Sequence, residues 1–325
     1  MNLIRCSSHE DWLRERQKSI GSSDAAAILG VSPFATPLKV YADKVTPAEE
    51  EESEAMSWGH ALEEPIAKEF QRRTKLLVVA PPAFALYRKD GVEHLHASPD
   101  RFVETEEQRV LEIKSTRHRG DEWDAGVPLH VNVQVQHQLL VLGLDMAYVA
   151  VLIQGSEYRQ FELKTDTAFQ AALLEKLSEF WRRVQSRHAP APSGEADYET
   201  VRRMFAKAKR KTVLLPAEIT AVYELSAASR EARLACEKQE KAANAKLMSM
   251  LGDADEGILK DGRRITWTEE VAEYKAQPAR TVTKRVLRLV KAPSLDKVQR
   301  APGLEPGSPS SQGSLTGAND GSDSA

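Results

Sequence analysis

The chain has 325 residues and a formal net charge of −3, with 29% charged and 41% hydrophobic residues. This balance is typical of a soluble globular protein with one large core or two folding units, and no apolar run approaches the roughly 20 residues of a membrane span. Because the chain is not basic overall, any nucleic-acid binding must come from local basic patches. The opening stretch MNLIRCSSHEDW lacks the apolar segment of a signal peptide, and Cys6 and Cys236 fit neither a disulfide framework nor a zinc site, so the sequence predicts a cytoplasmic protein.

Helical and strand patterns alternate along the N-terminal part of the chain. Residues 11–19 and the segment DAAAILG predict short helices, and Ser22 or Ser23 is a candidate N-cap of the second one. Apolar residues at helical spacing predict longer helices over residues 56–74, 130–144 and 167–187. Short apolar runs predict strands over residues 78–87, 95–103, 110–115, 147–154 and 158–164. This order predicts an α/β or α+β fold with a mixed central sheet flanked by helices.

The stretch HAPAPSGEAD breaks this pattern near residue 190 and predicts a domain boundary. We predict one domain over residues 1–190, an extension over 191–300, and a tail over 301–325 that is disordered because it is rich in Gly, Ser, Pro and Asp. The extension should contain a basic helix (198–211), a long helix (216–251) and small strands around the turn LKDGRR. Its basic stretches, VRRMFAKAKRK and RTVTKRVLRLVK, either contact phosphates or form a solvated helix face and an edge strand.

Two acidic residues and a lysine fall on neighbouring predicted strands. Alternation along residues 110–115 sends Glu112 and Lys114 to one face, and Leu111 and Ile113 to the other. Asp100 lies across a hairpin loop from Glu112, and two such carboxylates repel each other unless a cation such as Mg²⁺ or Mn²⁺ lies between them. A lysine beside them suits metal-assisted phosphodiester hydrolysis. The alternative is a surface ion pair between Glu112 and Lys114 on an exposed strand.

A third carboxylate occurs in the predicted helix over residues 56–74. Projection at 100° per residue places Glu63 within about 20° of the apolar arc, whereas Glu64 falls outside it and can pair with Lys68. A carboxylate on the core side needs a partner, which a metal would supply. The alternative is a helix-start carboxylate that interacts with the helix dipole, and Pro65 fits only a first turn or a kink.

The apolar helix over residues 130–144 carries the run VNVQVQHQLL. Gln134 and Gln138 lie one turn apart on the same face of this helix. Because buried amides must be hydrogen-bonded, this face meets either active-site groups, phosphate or nearby backbone. His137 points elsewhere and is interpreted as an ordinary helix histidine.

Five motifs in order carry a family resemblance over residues 11–187: GSSDAAAILGVSPFATPLKVYADK, WGHALEEPIAKEF, ASPD, LEIKST and VNVQVQHQLL. They resemble the YqaJ-type viral recombinase nucleases, which are related to the exonuclease of phage lambda within the PD-(D/E)xK superfamily. The resemblance implies a restriction-endonuclease-like core. It also implies a set of site residues: metal ligands at Glu63, Asp100, Glu112 and the Ile113 carbonyl, Lys114 to activate water, and Gln134 beside the site.

The same resemblance implies that Arg16, Ser23 and Ser98 contact the terminal 5′ phosphate of a DNA end. The implied activity is digestion of one strand of duplex DNA from its 5′ end with Mg²⁺, for which Mn²⁺ can substitute. The remaining 3′ single strand would serve an annealing protein in phage-type recombination, and a trimeric ring is a family arrangement. A phage-encoded enzyme of this kind would work in the host cytoplasm. The alternatives are a structure-specific endonuclease, a single-strand exonuclease, or a catalytically silent DNA-binding scaffold.

Overall fold

The computed structural model describes residues 1–46, 53–117, 120–207, 209, 212–269 and 299–300. The chain divides into two compact units, Met1–Ala206 and Lys207–Ala325. The predicted tail over 301–325 and the basic stretch RTVTKRVLRLVK lie outside the described residues. Among the helices of the described ranges, none is long and apolar enough to cross a membrane.

The first unit alternates between helices and strands, and it contains two elements that the sequence did not predict, the strand Asn2–Arg5 and the helix Pro37–Val45. Its elements in chain order are β1 (Asn2–Arg5), α1 (His9–Gln17), α2 (Ser22–Ile28), α3 (Pro37–Val45), α4 (Glu54–Thr74), β2 (Leu77–Val79), β3 (Ala85–Lys89), β4 (Val92–Ala97), β5 (Arg101–Glu104), β6 (Arg109–Thr116), α5 (Leu129–Leu142), β7 (Met146–Ile153), β8 (Glu157–Lys164), α6 (Thr167–Gln185) and α7 (Tyr198–Met204).

A five-stranded sheet in the order β2-β5-β6-β7-β8 forms the centre of this unit, and β1, β3 and β4 form a smaller antiparallel sheet. Strands β6 and β7 run parallel, whereas the other neighbours in the large sheet run antiparallel. Side chains of α4 share an apolar cluster with Leu111 and Ile113 of β6. Side chains of α5 share a second cluster with Val110 and with Val149 of β7, so the two helices cover opposite faces. The predicted fold class, a mixed central sheet flanked by helices, is confirmed.

Two predicted strands are each divided in the structure. Residues 78–87 form parts of β2 and β3, and residues 95–103 form parts of β4 and β5. Pro81, Pro82 and Pro99 lie at the breaks, and a proline cannot donate a backbone hydrogen bond to a sheet ladder. The prediction of two continuous strands was therefore wrong, and residues 98–100 instead link the two sheets.

Helix α7 extends the first unit beyond residue 190, the predicted boundary. Val201 and Met204 pack against its core, and the Thr36 hydroxyl donates a hydrogen bond to Asp197 just before the helix. The predicted helix over 198–211 is shorter, because it ends at Met204.

The second unit contains β9 (Val213–Leu214), α8 (Ile219–Leu251), β10 (Glu256–Ile258), β11 (Arg264–Thr266) and β12 (Gln299–Arg300). Helix α8 has no buried residue. Strands β10 and β11 pair antiparallel around LKDGRR, where Gly262 adopts a positive φ of 83° that favours glycine. The prediction of small strands around this turn is confirmed for β10 and β11.

Candidate functional site

The candidate site begins where β5 and β6 stop pairing. Their pairing ends at Arg101 opposite Leu111. The next amide of β6 on this side of the strand, that of Ile113, donates a hydrogen bond to the Asp100 Oδ2 atom at 2.7 Å. The Asp100 carboxylate thus takes the place of a strand neighbour beside β6. Because Pro99 precedes it and ends the ladder, the side chain rather than the backbone meets β6 here.

Glu112 is the most enclosed acidic residue of the site, with only 1% of its surface exposed. Its Oε1 atom accepts from Gln134 Nε2 at 2.6 Å and lies 2.6 Å from Lys114 Nζ. Its Oε2 atom accepts from Gln138 Nε2 at 2.7 Å. The alternative of an exposed surface ion pair is therefore wrong, and so is the alternative that backbone groups satisfy the two amides.

The two glutamines lie four residues apart on α5, so their side chains project from the same face towards β6. Gln138 is 1% exposed, and its Oε1 atom has no hydrogen-bond partner within the described part of the chain. Gln134 was predicted as a site residue, whereas Gln138 was predicted only to meet a polar group. The spacing of four residues was the sequence signal that placed both amides on one face, and the structure identifies Glu112 as their shared partner.

Glu63 reaches this region from the middle of α4, so the alternative of a helix-start carboxylate is wrong. Its Oε2 atom lies 3.2 Å from Nη1 of Arg101, which also donates to the carbonyl of Asp100 at 2.6 Å. Glu64 pairs with Lys68 at 3.3 Å, as predicted. Arg101 was missed by the sequence reasoning, since nothing in its local pattern distinguishes it from an ordinary strand arginine.

Pro65 lies inside α4 rather than in its first turn. A proline at this position leaves one backbone carbonyl without its helical donor.

The carboxyl groups of Asp100, Glu112 and Glu63 bring negative charges close together in the site. Burial and the negative charge of Glu112 raise the pKa of Asp100 well above its ordinary value, and Glu63 adds to the effect. Burial disfavours the charged form of Lys114, but the carboxylates of Glu112 and Asp100 outweigh it and raise the pKa of the amine. A bound cation would relieve the repulsion between the carboxylates.

No set of three His, Cys, Asp or Glu side chains in the described ranges is already arranged to hold a metal ion. The chemistry of the donors nevertheless fits a hard divalent cation, because Asp100, just before β5, and Glu112 on β6 offer oxygen atoms. The amide and carbonyl of a strand residue point to the same side, so the Ile113 carbonyl faces the side of Asp100. The residues present therefore suit Mg²⁺ or Mn²⁺ better than a softer metal.

The three predicted phosphate-binding residues lie on separate segments. Arg16 is in α1, with its guanidinium 4.4 Å from the centroid of the Trp12 ring. Ser23 is exposed in the first turn of α2. Ser98 lies in the link between β4 and β5, and its hydroxyl donates to the carbonyl of Ala85 at 3.4 Å. The positive charge of Arg16 contributes to lowering the pKa of Asp24 and of His96, and these two residues are close in sequence to the two serines.

Buried polar residues that the sequence reasoning missed support the start of α2. His96 Nδ1 lies 2.8 Å from the Ser19 hydroxyl, and Lys44 lies 2.8 Å from Asp24. A Cβ atom at Gly21 would lie 2.9 Å from Nε2 of His96, so glycine is required by this close approach. Although burial opposes ionisation, Lys44 holds the pKa of Asp24 below its ordinary value.

The predicted N-cap of α2, Ser22 or Ser23, was wrong. Gly21 is the N-cap, and its amide donates to Asp24 at 2.9 Å as half of a capping box. The Ser22 hydroxyl instead lies 3.1 Å from Nδ1 of His137 on α5. His137 is fully buried, and burial lowers its pKa to about 4. This histidine, interpreted from sequence as ordinary, joins α5 to the segment that carries Ser23.

Comparisons with known proteins relate this architecture to a family. Residues 11–145 match the family model of the YqaJ-like viral recombinase domain. The uncharacterized protein YqaJ of Bacillus subtilis (strain 168) is 34% identical over 232 residues, which cover 69% of this chain and 69% of that protein.

Solved structures also align with the chain. An alkaline exonuclease from Laribacter hongkongensis aligns with a TM-score of 0.46 and 18% identity, covering 60% of this chain and 98% of that one. A phage related exonuclease from Haemophilus somnus 129PT aligns with a TM-score of 0.40 and 10% identity, covering 53% and 96% of the two chains.

Proposed function

Since the chain belongs to the YqaJ-like viral recombinase family, we propose that it is a metal-dependent deoxyribonuclease. Its substrate is the end of duplex DNA, from which it digests one strand in the 5′→3′ direction. The 3′ single strand that remains is the substrate for an annealing protein in phage-type recombination. Assembly as a ring-shaped trimer around DNA belongs to the same proposal.

The observation that carries this proposal is the buried Glu112 carboxylate, held by Gln134, Gln138 and Lys114 beside Asp100. Burying a carboxylate away from water is unfavourable unless it is paired and hydrogen-bonded. A purely structural strand would avoid this cost with an apolar residue. Three donors that fix one buried carboxylate are the arrangement expected when its orientation matters for chemistry.

The proposed metal ligands are Glu63, Asp100, Glu112 and the carbonyl of Ile113. When bound there, Mg²⁺ supplies a Lewis acid that polarises the phosphodiester, and Mn²⁺ can substitute for it. Gln134 and Gln138 keep the Glu112 carboxylate from rotating. Arg101 holds Glu63 near the backbone of Asp100.

Lys114 is the residue proposed to act on water. Its amine is kept protonated by Glu112 and Asp100, as the raised pKa indicates. A protonated amine beside the attacked phosphate donates hydrogen bonds to a water molecule and offsets the charge that develops on the phosphate oxygens. The reaction consumes one water, breaks the bond between phosphorus and the 3′ oxygen, and leaves a 5′-phosphorylated mononucleotide.

Recognition of the DNA end is proposed to involve Arg16, Ser23 and Ser98. A guanidinium suits a dianionic terminal phosphate, because its fork of N–H groups matches two phosphate oxygens. The serine hydroxyls donate the remaining hydrogen bonds. The charges of Lys44 and Arg16 near this segment favour a negatively charged ligand.

One digestion experiment tests metal need, end dependence and polarity together. Linear duplexes with 5′-phosphate, 5′-hydroxyl or recessed ends, labelled on either strand, are incubated with the protein over a Mg²⁺ titration, beside a covalently closed circle. We expect Mg²⁺-dependent release of mononucleotides from 5′-phosphorylated ends and an intact circle. Cutting of the circle would instead indicate an endonuclease. Release from the single-stranded overhangs of the recessed ends alone would indicate a single-strand exonuclease, and no cleavage at any Mg²⁺ concentration would indicate a DNA-binding scaffold.

A further inference from the structure

Phe34 is an exposed aromatic residue in the loop between α2 and α3, with 82% of its surface accessible to solvent. The loop is tied to the helix before it, because the amides of Val31 and Ser32 donate to the carbonyl of Ala26 at 3.0 and 3.2 Å. The amide of Phe34 itself donates to the hydroxyl of Ser32 at 3.2 Å. These bonds fix the backbone that presents the ring to solvent.

The ring of Phe34 meets His130 at the start of α5. The two ring centroids are 5.9 Å apart, and the planes form an angle of 78°, so the contact is edge to face. This geometry is a favourable one for aromatic pairs. It leaves a broad face of Phe34 open.

This aromatic pair lies next to the proposed catalytic carboxylate. His130 is four residues before Gln134, so the two side chains are neighbours on one face of α5, roughly 6 Å apart at their Cβ atoms. Gln134 in turn contacts Glu112 at 2.6 Å. His130 is also close enough to Lys114 for the positive charge of that amine to lower its pKa.

The surface formed by the two rings suits a flat uncharged group better than a phosphate. Burial lowers the pKa of His130, and the charge of Lys114 lowers it further against the opposing effect of Glu122. The imidazole is therefore uncharged at neutral pH and adds no positive charge to the ring of Phe34. Nucleobases present such flat faces, and a base stacks on an aromatic side chain whatever its sequence.

From this geometry we infer that Phe34 and His130 form a stacking platform for an unpaired nucleobase beside the scissile phosphate. The inference rests on the proposed nuclease function and deepens it, since a duplex end must lose base pairs before one strand enters a hydrolytic site. Unstacking a base costs a few kcal/mol, and an aromatic surface in the protein offsets part of that loss. Phe34 is then the residue that favours the opened end.

A double-mutant cycle between Phe34 and the base tests the platform in the full-length protein. Single-turnover digestion is measured for wild type and Phe34→Ala on 5′-phosphorylated duplexes that are intact, or abasic at the first or the second nucleotide. We expect Phe34→Ala to slow digestion of the intact duplex about tenfold, within the range of a base–aromatic contact. On the duplex abasic at the stacked position, wild type and variant should digest at the same rate within about twofold.

Two further variants separate stacking from general damage. Phe34→Trp keeps an aromatic face and should retain the wild-type rate. Leu129→Ala removes a neighbouring apolar side chain that is 62% exposed. It should leave unchanged both the digestion rate of the intact duplex and the difference in rate between intact and abasic duplexes. Binding without cleavage is followed by the fluorescence of 2-aminopurine at the same positions in the absence of divalent cations. Quenching on binding should be lost in Phe34→Ala and kept in Phe34→Trp.

The stacking proposal is contradicted if Phe34→Ala slows the digestion of intact duplexes and of both abasic duplexes by the same factor. It is also contradicted if wild type and Phe34→Ala quench the fluorescence of 2-aminopurine equally. Failure of the proposed function gives a different result, because the wild-type protein would then neither digest nor bind any of these DNA ends.

Discussion

Replacement of His137 with asparagine should remove part of the acid sensitivity of the first unit. The imidazole is fully buried between α5 and α2, with Nδ1 3.1 Å from the Ser22 hydroxyl. Its Nε2 atom has no hydrogen-bond partner among the described residues. Asparagine keeps a polar atom near Ser22 but does not titrate, so the variant isolates the ionisation.

The sign and size follow from the pKa of about 4 in the folded protein, against an ordinary value of 6.5. Below pH 6.5 the unfolded chain takes up a proton at this histidine, whereas the folded protein does so only near pH 4. Stability is therefore present above pH 6.5 and is lost as the pH falls towards 4. Between pH 7 and pH 5, this single group should lower the free energy of unfolding by about 2 kcal/mol.

Urea unfolding at pH 7 and pH 5 measures this loss. In a Trp267→Phe background the tryptophan signal reports on the first unit alone, because Trp267 is the tryptophan of the second unit. Wild type should lose about 2 kcal/mol more than His137→Asn over this interval. His188→Asn, at an exposed histidine, should behave as wild type. Equal losses in wild type and His137→Asn would show that ionisation of His137 does not destabilise the first unit.

Three other substitutions test separate parts of the site. Gln138→Leu removes one donor to the buried Glu112 and should lower the free energy of unfolding by about 2 kcal/mol in urea titrations; an unchanged midpoint would contradict the role of that hydrogen bond. Gly21→Ala places a methyl group 2.9 Å from Nε2 of His96 and should cost about 1–3 kcal/mol, whereas a melting temperature equal to wild type would show that the contact relaxes freely. Arg16→Ala should raise KM at least about tenfold for 5′-phosphorylated ends and little for 5′-hydroxyl ends; equal effects on both would remove this residue from phosphate recognition.

Apolar periodicity predicted α4, α5 and α6 and the long strands β6, β7 and β8, but it missed α3. Two other predicted strands were wrong because prolines divide them. Alternation alone cannot show that Pro99 ends one strand and lets the next join a different sheet. The small sheet depends on β1, whose four residues are too short for a strand pattern to be recognised. Pairing between strands depends on residues that are far apart in the sequence, so local sequence patterns do not predict it.

Local sequence patterns likewise predicted some residues of the candidate site and missed others. The facing positions of Glu112 and Lys114, and the turn-spaced glutamines, are local patterns and could be predicted. Arg101 and His96 could not, because their partners lie 38 and 77 residues away in the sequence. The structure is therefore needed to identify residues whose partners are distant in the sequence.

Lys114 and the carboxylates beside it are proposed to hydrolyse DNA, and this role is tested with the Lys114→Ala variant. Digestion of a 5′-phosphorylated duplex with Mg²⁺ is measured beside DNA binding without divalent ions, with Lys176→Ala, at an exposed lysine of α6, as control. We expect Lys114→Ala to slow digestion at least about a hundredfold, because a group that acts on the transition state is removed. Its Kd for DNA should stay within about threefold, and Lys176→Ala should digest DNA at the wild-type rate. Wild-type digestion by Lys114→Ala would contradict this role.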